Sequence, residues 1–389
     1  MEPRPIAILG ASGSIGTTTL AVVRAHPSLL RVAGMASLRN WRRLAGPARE
    51  FGVPMVALAD PAAADEARAS GEFPAGTRIL SGPDGLREIA CLPEARTVVS
   101  AVVGTAGLEP TLAALKTGKD VALASKELLV LAGRFVTAAA AQGGGRLMPV
   151  DSEHNALHQL LRGRPRADAV RLVLTASGGA FRDTPLDSLD EVTPEQALRH
   201  PSWKMGPKVT VDSATMANKG LEIVEASWLF DVPQERIDVV VHPQSVIHAI
   251  VTLSDGSMQA LLSPPSMAFP IQDCLLEPLR PPCPAPGLDL SKALSLTMSP
   301  PDPARYPCLG LARTAAATGA CAPAAFNAAN EVAVEAFMSG RLRFTGIAEL
   351  IRRVMEKGWT KQPASLEDVL AADADARARA AELASTLRI

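Results

Sequence analysis

The sequence has little of what marks secreted, membrane-bound or nucleic-acid-binding proteins. Its 389 residues include only five cysteines, an odd number without a C-x-x-C pair, which argues against a disulfide framework and against a zinc knuckle. The 39 basic and 40 acidic side chains nearly cancel, so no overall charge favours nucleic acid or an anionic membrane. The N-terminus lacks a basic segment followed by an apolar one, and no apolar run is long enough to span a bilayer. We therefore expect a soluble, unprocessed cytoplasmic protein without a nucleic-acid or membrane partner.

The length and the alternation of patterns predict several domains. At roughly 150 residues per domain, the chain is long enough for two or three. Up to residue 150, short β-rich runs alternate with amphipathic helical stretches, which is typical of an α/β domain. The predicted strands cover residues 6–9, 32–36, 55–58, 78–80, 97–103, 121–124 and 146–150. We therefore predict a doubly wound, Rossmann-type parallel sheet over residues 1–150.

The pattern changes after residue 150. Residues 151–290 combine helices at 155–161 and 218–230 with strands at 171–176, 209–212, 237–241, 245–253 and 258–262. The last three strands surround the turn residues at 254–256, which favours an antiparallel arrangement and an α+β catalytic domain. Prolines mark residues 291–308 as a linker, and residues 309–389 have the pattern of a C-terminal helical bundle, with helices near 309–318, 325–339, 345–357 and 366–387.

A glycine-rich turn follows the first predicted strand. Gly10, Gly13 and Gly16 lie between a strand and a helix, where the backbone can approach the diphosphate of a dinucleotide. A plain tight turn is the alternative. After the second strand, Arg39 stands where NAD enzymes usually carry an acidic residue, and a basic residue there favours the 2′-phosphate of NADP. A solvated surface arginine is the alternative.

Charged residues follow two further strands of this domain. Ser125, Lys126 and Glu127 come after residues 121–124, at the sheet edge where ligands bind, but they also suit an exposed ion pair that opens a helix. Asp151 and Glu153 follow the seventh strand, and their spacing on extended backbone suits two ligands of one cation. Helix capping by the segment that contains Asp151 and Ser152 is the competing interpretation.

The second domain carries a further carboxylate and several candidate phosphate ligands. Glu222 has apolar neighbours on a helix, and a buried carboxylate needs a partner such as a metal, whereas Glu225 fits an ordinary helix acid. Hydroxyls, glycines, an amide and a lysine at predicted strand ends suit a phosphate dianion, although each segment is also compatible with a plain turn. These residues are Thr175, Ser177, Gly179, Ser213, Thr215, Asn218 and Lys219.

A proline- and glycine-rich segment at residues 199–208 is predicted to form a mobile lid. It is too rich in proline and glycine to form a regular helix or strand, yet it carries His200, Trp203 and Met205. His242 and His248 lie in a buried strand pair, where histidines are more often structural, so neither is assigned to the site.

Taken together, these motifs resemble the 1-deoxy-D-xylulose 5-phosphate reductoisomerase family. The matching segments, in this order along the chain, are Gly-Ala-Ser-Gly-Ser-Ile-Gly, Ser-Lys-Glu, Pro-Val-Asp-Ser-Glu-His-Asn, Ser-Gly-Gly, Arg-His-Pro-Ser-Trp, Val-Asp-Ser-Ala-Thr-Met-Ala-Asn-Lys-Gly-Leu-Glu, His-Pro-Gln-Ser-Val-Ile-His and Phe-Asn-Ala-Ala-Asn-Glu. The chain departs from the family's usual pattern at Leu38 and Arg39, where glycine and lysine are usual, and at Ser125, where asparagine is usual. The resemblance implies a cytoplasmic homodimer of the non-mevalonate isoprenoid pathway.

The resemblance also implies the composition of the site. NADPH would be bound by Gly10, Ser12, Gly13, Ser14, Ile15, Arg39, Asn40, Ser125, Glu127 and Gly206. One magnesium or manganese ion would be bound by Asp151, Glu153 and Glu222. Substrate would be bound by Lys126, Ser152, Glu153, Ser177, His200, Ser213, Asn218, Lys219 and Glu222, with Trp203 and Met205 closing over it.

The implied activity is the NADPH-dependent rearrangement and reduction of 1-deoxy-D-xylulose 5-phosphate to 2-C-methyl-D-erythritol 4-phosphate. This would make the protein an NADP-dependent oxidoreductase acting on a small phosphorylated sugar. Two alternatives remain at this point. One is a metal-dependent phosphosugar hydrolase or lyase on a nucleotide-binding fold, and the other is a regulator that senses NADP(H) without catalysis.

Overall fold

The computed structural model describes residues 2–386, which form two compact units. The first unit contains the residues up to Leu128 together with Arg134–His158 and Ser266–Leu288. The second contains Leu129–Gly133, Gln159–Pro265 and the residues from Asp289 onwards. The last three residues of the predicted C-terminal domain, 387–389, lie outside the described residues.

The first unit is built on a seven-stranded parallel sheet. In chain order its strands are β1 Arg4–Leu9, β2 Leu30–Ser37, β3 Met55–Leu58, β4 Arg78–Ser81, β5 Thr97–Ser100, β6 Asp120–Leu123 and β7 Leu147–Pro149. Their order across the sheet is β4-β3-β2-β1-β5-β6-β7. The chain winds outward from β1 in one direction as far as β4 and then continues from β5 in the other. The carboxyl ends of β1 and β5 therefore form the topological switch point, where sheets of this kind bind ligands.

The second unit contains a four-stranded sheet with the order β11-β10-β8-β9. Its strands are β8 Ala169–Ala176, β9 Ile237–Val241, β10 Ile247–Leu253 and β11 Met258–Leu262. The antiparallel prediction is confirmed for β10 and β11, but it is wrong for β9, which pairs in parallel with β8. The segment between β8 and β9 contains helices, and a helical crossover of this length joins parallel neighbours.

Fifteen α-helices accompany the two sheets in the described part of the chain. They are α1 Ser14–Ala25, α2 Trp41–Glu50, α3 Pro61–Ser70, α4 Gly82–Ala90, α5 Leu108–Lys116, α6 Glu127–Gly143, α7 Ser152–Leu161, α8 Pro194–Ala197, α9 Pro207–Thr215, α10 Ala217–Phe230, α11 Ala268–Leu276, α12 Pro307–Thr318, α13 Ala322–Met338, α14 Phe344–Met355 and α15 Leu366–Thr386. Among the described residues, no helix combines the length and apolar character that a membrane span requires.

Helix α9 replaces the strand that the sequence predicts at residues 209–212. Its β-branched residues favour a strand, but Gly206 at the N-cap and Pro207 in the first turn begin a helix. Thr210 and Val211 are buried on this helix, and Val211 belongs to the hydrophobic core of the second unit. Burial therefore outweighs the intrinsic preference of these residues, and Ser213 lies near the end of a helix instead of after a strand.

The C-terminal helices pack around aromatic side chains. Phe326 and Phe337 are completely buried, and the ring of Phe344 contacts those of Phe337 and Phe181 edge-on, at centroid distances of 5.7 and 5.0 Å. The predicted helical bundle is thus confirmed. Together with the parallel sheet and the mixed sheet, it confirms the predicted fold class.

Candidate active site

The glycine-rich turn between β1 and α1 leaves no room for side chains at two positions. Gly10 has a φ of +87°, and a Cβ atom there would lie 2.3 Å from the carbonyl oxygen of Ala101, which follows β5. A Cβ atom on Gly16 would lie 2.4 Å from the carbonyl oxygen of Gly10, so the first turn of α1 packs directly on the loop. Gly13 is the N-cap and is exposed. The turn therefore presents a helix N-terminus at the switch point, which suits a dinucleotide diphosphate.

Arg39 follows β2, as expected for a residue near the adenosine ribose, but it is engaged by a neighbouring carboxylate. Its Nε donates to Oδ2 of Asp60 at 2.5 Å, while 75% of its side chain stays exposed. Asp60 is the N-cap of α3 and also accepts from the amide of Ala62. The Arg39 guanidinium holds the pKa of Asp60 below its usual range. Leu38 is exposed beside this pair.

The side chain of Asn40 caps α2, and one turn later Arg43 contacts the glycine-rich turn. Oδ1 of Asn40 accepts from the amide of Arg43 at 3.2 Å. Nη1 of Arg43 donates to the carbonyl oxygen of Ser12 at 3.4 Å, and the hydroxyls of Ser12 and Ser37 are 2.5 Å apart. Arg43 was not predicted from the sequence. An asparagine N-cap followed three residues later by arginine is the signal that could have identified it.

Ser125, Lys126 and Glu127, which follow β6, are buried, so the interpretation of an exposed ion pair is wrong. Oγ of Ser125 donates to the carbonyl oxygen of Val102 at 2.5 Å, and Lys126 and Glu127 are each only 8% exposed. Nζ of Lys126 forms an ion pair with Asp151, which follows β7. Because β6 and β7 are parallel neighbours, their carboxyl ends bring this lysine and carboxylate together.

Asp151 and Glu153 form a pair of carboxylates where β7 passes into α7. One carboxylate oxygen of each lies within 4.8 Å of the other, and Oγ of Ser152 donates to Oε2 of Glu153 at 2.5 Å. Oxygen atoms at this separation can bind one hard cation such as Mg²⁺ or Mn²⁺. Asp151 also occupies the N-cap position, since its carbonyl oxygen accepts from the amide of Asn155 at 2.8 Å. The position therefore suits both a cation ligand and a helix cap.

Asn155 anchors the turn that carries these carboxylates. Its Nδ2 donates to the carbonyl oxygen of Pro149 at 3.2 Å and to Oδ2 of Asp273 at 3.3 Å. Asp273 belongs to α11, which packs against β6, β7 and α1. Helix α11 was not predicted from the sequence, although it supports the turn after β7.

In the second unit, one imidazole and two hydroxyls form a compact polar cluster. Nε2 of His200 lies 2.9 Å from Oγ of Ser177 and 3.1 Å from Oγ of Ser213. Nδ1 of His200 accepts from the backbone amides of Ser202 and Trp203, so the proton of the neutral ring is on Nε2. Burial lowers the pKa of His200 to about 4. At neutral pH the cluster therefore offers an imidazole N–H donor beside two hydroxyls, which suits phosphate oxygens.

Consecutive glycines complete the turn after β8. Gly179 has a φ of +72°, and a Cβ atom there would lie 2.4 Å from Cα of Ala214 on α9. Its amide donates to Oγ of Ser177 at 3.1 Å. Only glycine permits this close approach of the turn to α9, and the approach keeps Ser177 close to Ser213.

Helix α10 carries a buried polar triplet. Glu222 is only 1% exposed and accepts from Nδ2 of Asn218 at 2.5 Å and from Nζ of Lys219. These contacts satisfy the need of a buried carboxylate for partners. Glu225, one turn further, is also completely buried, so its interpretation as an ordinary helix acid is wrong.

The segment predicted as a lid has no regular structure between residues 199 and 206. The ring of Trp203 lies edge-on to that of His248, with their centroids 6.2 Å apart. Met205 is half-buried, and Gly206 is the exposed N-cap of α9.

The two histidines left out of the site make structural hydrogen bonds. Nε2 of His242 accepts from the amides of Val246 and Ile247, while its Nδ1 donates to the carbonyl oxygen of Thr297 at 2.8 Å. Nε2 of His248 lies 2.8 Å from Oγ of Ser263. These bonds join the strands and loops of the second unit.

Family models of one enzyme match three successive segments of the chain. A model for 1-deoxy-D-xylulose 5-phosphate reductoisomerase matches residues 6–133. A C-terminal domain model of the same enzyme matches residues 147–230, and a DXP reductoisomerase C-terminal domain model matches residues 262–379.

Individual relatives are similar over nearly the whole length. The 1-deoxy-D-xylulose 5-phosphate reductoisomerase of Trichlorobacter lovleyi is 46% identical over 387 residues, which are 99% of this chain and 98% of that protein. The solved structure of the Zymomonas mobilis enzyme in complex with NADPH has a TM-score of 0.92 at 40% identity and covers 99% of this chain and 100% of that chain. A crystal structure of DOX-P reductoisomerase in complex with NADPH, fosmidomycin and magnesium has a TM-score of 0.92 at 38% identity, with 99% of both chains covered.

Proposed function

The chain belongs to the 1-deoxy-D-xylulose 5-phosphate reductoisomerase family, and from this premise we propose how its own residues divide the tasks of the reaction. The protein is an NADP-dependent oxidoreductase that converts 1-deoxy-D-xylulose 5-phosphate to 2-C-methyl-D-erythritol 4-phosphate with NADPH and a divalent cation. A hydrolase or lyase is not favoured.

The combination of two features in the first unit carries this assignment. The parallel sheet that has a dinucleotide turn after β1 also carries the carboxylate pair Asp151 and Glu153 after β7. A hydrolase has no use for the first of these features, and a regulator that only senses NADP(H) has no use for the second. A metal-assisted reductase needs both.

The cation is held by Asp151, Glu153 and Glu222. The first two offer oxygen atoms within 4.8 Å of each other, and Glu222 is a buried carboxylate of the second unit. Three oxygen ligands suit Mg²⁺ or Mn²⁺ and leave coordination positions for substrate oxygens. When bound, the cation polarises the substrate ketone and acidifies a neighbouring hydroxyl. Lys126, ion-paired with Asp151, supplies a positive charge beside this carboxylate and binds substrate.

The substrate is held mainly by polar residues of the second unit. Ser177, His200 and Ser213 bind its phosphate through two hydroxyls and the Nε2–H of a neutral imidazole. Asn218 and Lys219 add an amide and a positive charge, while Ser152, Glu153 and Glu222 bind the sugar hydroxyls. Trp203 and Met205 close over the bound substrate and exclude water.

NADPH binds at the switch point of the parallel sheet. The turn between β1 and α1 would hold its diphosphate, and the residues that follow β2 would hold its adenosine. The residues assigned to it are Gly10, Ser12, Gly13, Ser14, Ile15, Arg39, Asn40, Ser125, Glu127 and Gly206. Ser125 and Glu127 follow β6 at the carboxyl edge of the same parallel sheet, which supports their assignment to the cofactor.

We propose further that the protein acts as a homodimer in the cytoplasm. The edge strand β11 of the mixed sheet exposes 59% of Met258 and 45% of Leu262, and an exposed apolar edge is a suitable surface for a second copy. The five cysteines are free thiols, which fits a reducing compartment.

The decisive assay follows NADPH absorbance with 1-deoxy-D-xylulose 5-phosphate and magnesium. We expect NADPH oxidation that requires both substrate and metal, with one NADPH consumed per product formed. Release of inorganic phosphate without loss of NADPH would instead identify a hydrolase. Tight NADPH binding without turnover of either kind would identify a regulator.

A further inference from the structure

The end of β2 carries two arginines that contact opposite neighbours in the sheet. Arg39 is bonded to Asp60, which follows β3, whereas Arg43 is bonded to Ser12, which follows β1. Strand β2 lies between β3 and β1. Because a dinucleotide extends from the turn after β1 towards the end of β2, the side that Arg43 contacts is the side on which the adenosine ribose lies.

Arg39 and Arg43 differ in the net positive charge that each can offer to a phosphate group. The guanidinium of Arg39 and the carboxylate of Asp60 are in contact at 2.5 Å, so together they carry no net charge. Arg43 is exposed, and its bond to a neutral carbonyl oxygen of Ser12 leaves its positive charge uncompensated by that contact. This bond occupies one of the five N–H donors of the guanidinium. A dianionic phosphate is therefore attracted by Arg43 more than by the Arg39–Asp60 pair.

Given the proposed NADPH site, we propose that Arg43 binds the 2′-phosphate and sets the preference for NADPH over NADH. Arg39 contributes indirectly, because it neutralises the charge of Asp60. An unpaired Asp60 would repel the 2′-phosphate and favour the free ribose hydroxyls of NADH, as the acidic residue of NAD enzymes does. Asn40 supports this arrangement, because its side chain caps the helix turn from which Arg43 extends.

Equilibrium binding to the metal-free enzyme tests the role of Arg43 without catalysis. Dissociation constants for NADPH, NADH and 2′,5′-ADP are measured for the wild type, Arg43→Ala and Arg42→Ala. Loss of a charge-assisted bond should weaken NADPH and 2′,5′-ADP on the order of 10- to 100-fold in Arg43→Ala, and NADH by less than about threefold. Equal weakening of NADPH and NADH, or no weakening, would overturn the proposal.

Arg42→Ala is the matched control. Arg42 has the same charge and lies next to Arg43 on α2, but its guanidinium stacks over the ring of Trp41, with Cζ 4.3 Å from the ring centroid. We expect the Arg42→Ala enzyme to keep the wild-type preference. If Arg42→Ala weakened NADPH as much as Arg43→Ala, general surface charge would explain the result and the assignment of Arg43 would be wrong.

A rescue experiment separates neutralisation from direct contact by Arg39. Arg39→Ala should weaken NADPH, and the double variant with Asp60→Asn should restore binding to within about threefold of the wild type, because asparagine still caps α3. A double variant as weak as Arg39→Ala would show direct contact by Arg39 and overturn the neutralising role. Thermal unfolding of each variant identifies losses due to misfolding.

Cofactor binding by the wild type separates this proposal from the proposed function. A wild type that binds NADPH more tightly than NADH, combined with an unaffected Arg43→Ala variant, would reject only the role of Arg43. A wild type that binds neither cofactor would reject the NADPH site itself.

Discussion

In the proposed site, each single carboxylate should decide whether the cation can be held. Replacing Asp151, Glu153 or Glu222 by the corresponding amide keeps the shape but removes one anionic ligand. We expect each change to lower turnover about 100-fold or more, because even the loss of a residue that only supports a metal ligand costs roughly 10- to 100-fold, while the dissociation constant for NADPH stays near that of the wild type. Steady-state kinetics and cofactor fluorescence give the two quantities. A variant that retains turnover would show that its carboxylate is not a ligand, and chelation of the wild type should mimic the loss reversibly.

Glu222 differs from the other two carboxylates because its replacement also affects folding. The change Glu222→Gln leaves the buried ammonium group of Lys219 with a neutral partner. We expect this to lower the free energy of unfolding by about 1 to 3 kcal/mol. Urea denaturation of the metal-free protein measures this cost. An unchanged midpoint would mean that the charge of Lys219 is compensated by another group.

A single buried histidine makes stability depend on pH. Burial lowers the pKa of His248 from 6.5 to about 4, and the positive charge of Lys219 acts in the same direction. The unfolded chain therefore takes up a proton at higher pH than the folded one, so stability is full above about 6.5 and falls as pH decreases towards 4. The loss is on the order of 2 to 3 kcal/mol. Urea denaturation of the wild type and His248→Gln should show a smaller pH slope in the variant, and equal slopes would contradict this origin.

The turn after β8 depends on its contact with helix α9. Gly179→Ala places a methyl group 2.4 Å from Cα of Ala214 and forces a side chain into the left-handed region. The turn and α9 must then separate, so Ser177 and Ser213 move apart. We expect the Michaelis constant for substrate to rise at least about tenfold, since hydrogen bonds to a charged group are lost, while NADPH binding stays unchanged.

The matched control is Gly310→Ala. Gly310 is exposed on helix α12 of the second unit, outside the proposed site, and a Cβ atom there would have no other atom within 4 Å. Steady-state kinetics with varied substrate compares the two variants. If Gly179→Ala left the Michaelis constant unchanged, the hydroxyl cluster would not depend on this contact, or would not bind the phosphate.

In our proposal, the edge strand β11 determines how two copies of the protein assemble. Replacing both Met258 and Leu262 by lysine places positive charges on an edge that would pair with its own copy. We expect sedimentation velocity to show dimers for the wild type and monomers for the double variant at micromolar concentration. A wild-type monomer, or a dimer that survives the substitutions, would exclude β11 as the interface.

Local sequence determined much of the fold and of the site. Alternating strands and helices predicted the parallel sheet, because each strand and helix there follows its own hydrophobic period. The glycine turn and the carboxylates after β7 were recognisable since their spacing alone places them at one edge of the sheet. The helices near 309–318 and 345–357 were predictable for the same reason.

Tertiary structure decided what depends on distant partners. Residues 209–212 form part of α9 because burial in the core outweighs β-branched preference, and β9 pairs with β8 because helices connect them. Lys126 meets Asp151 only because β6 and β7 are neighbours, and Arg43 meets Ser12 only because β2 lies beside β1. Local sequence patterns therefore fixed which chemical groups are present and, for most of them, the element on which they lie. Only the folded chain determined which of them touch, because packing between distant segments sets those contacts.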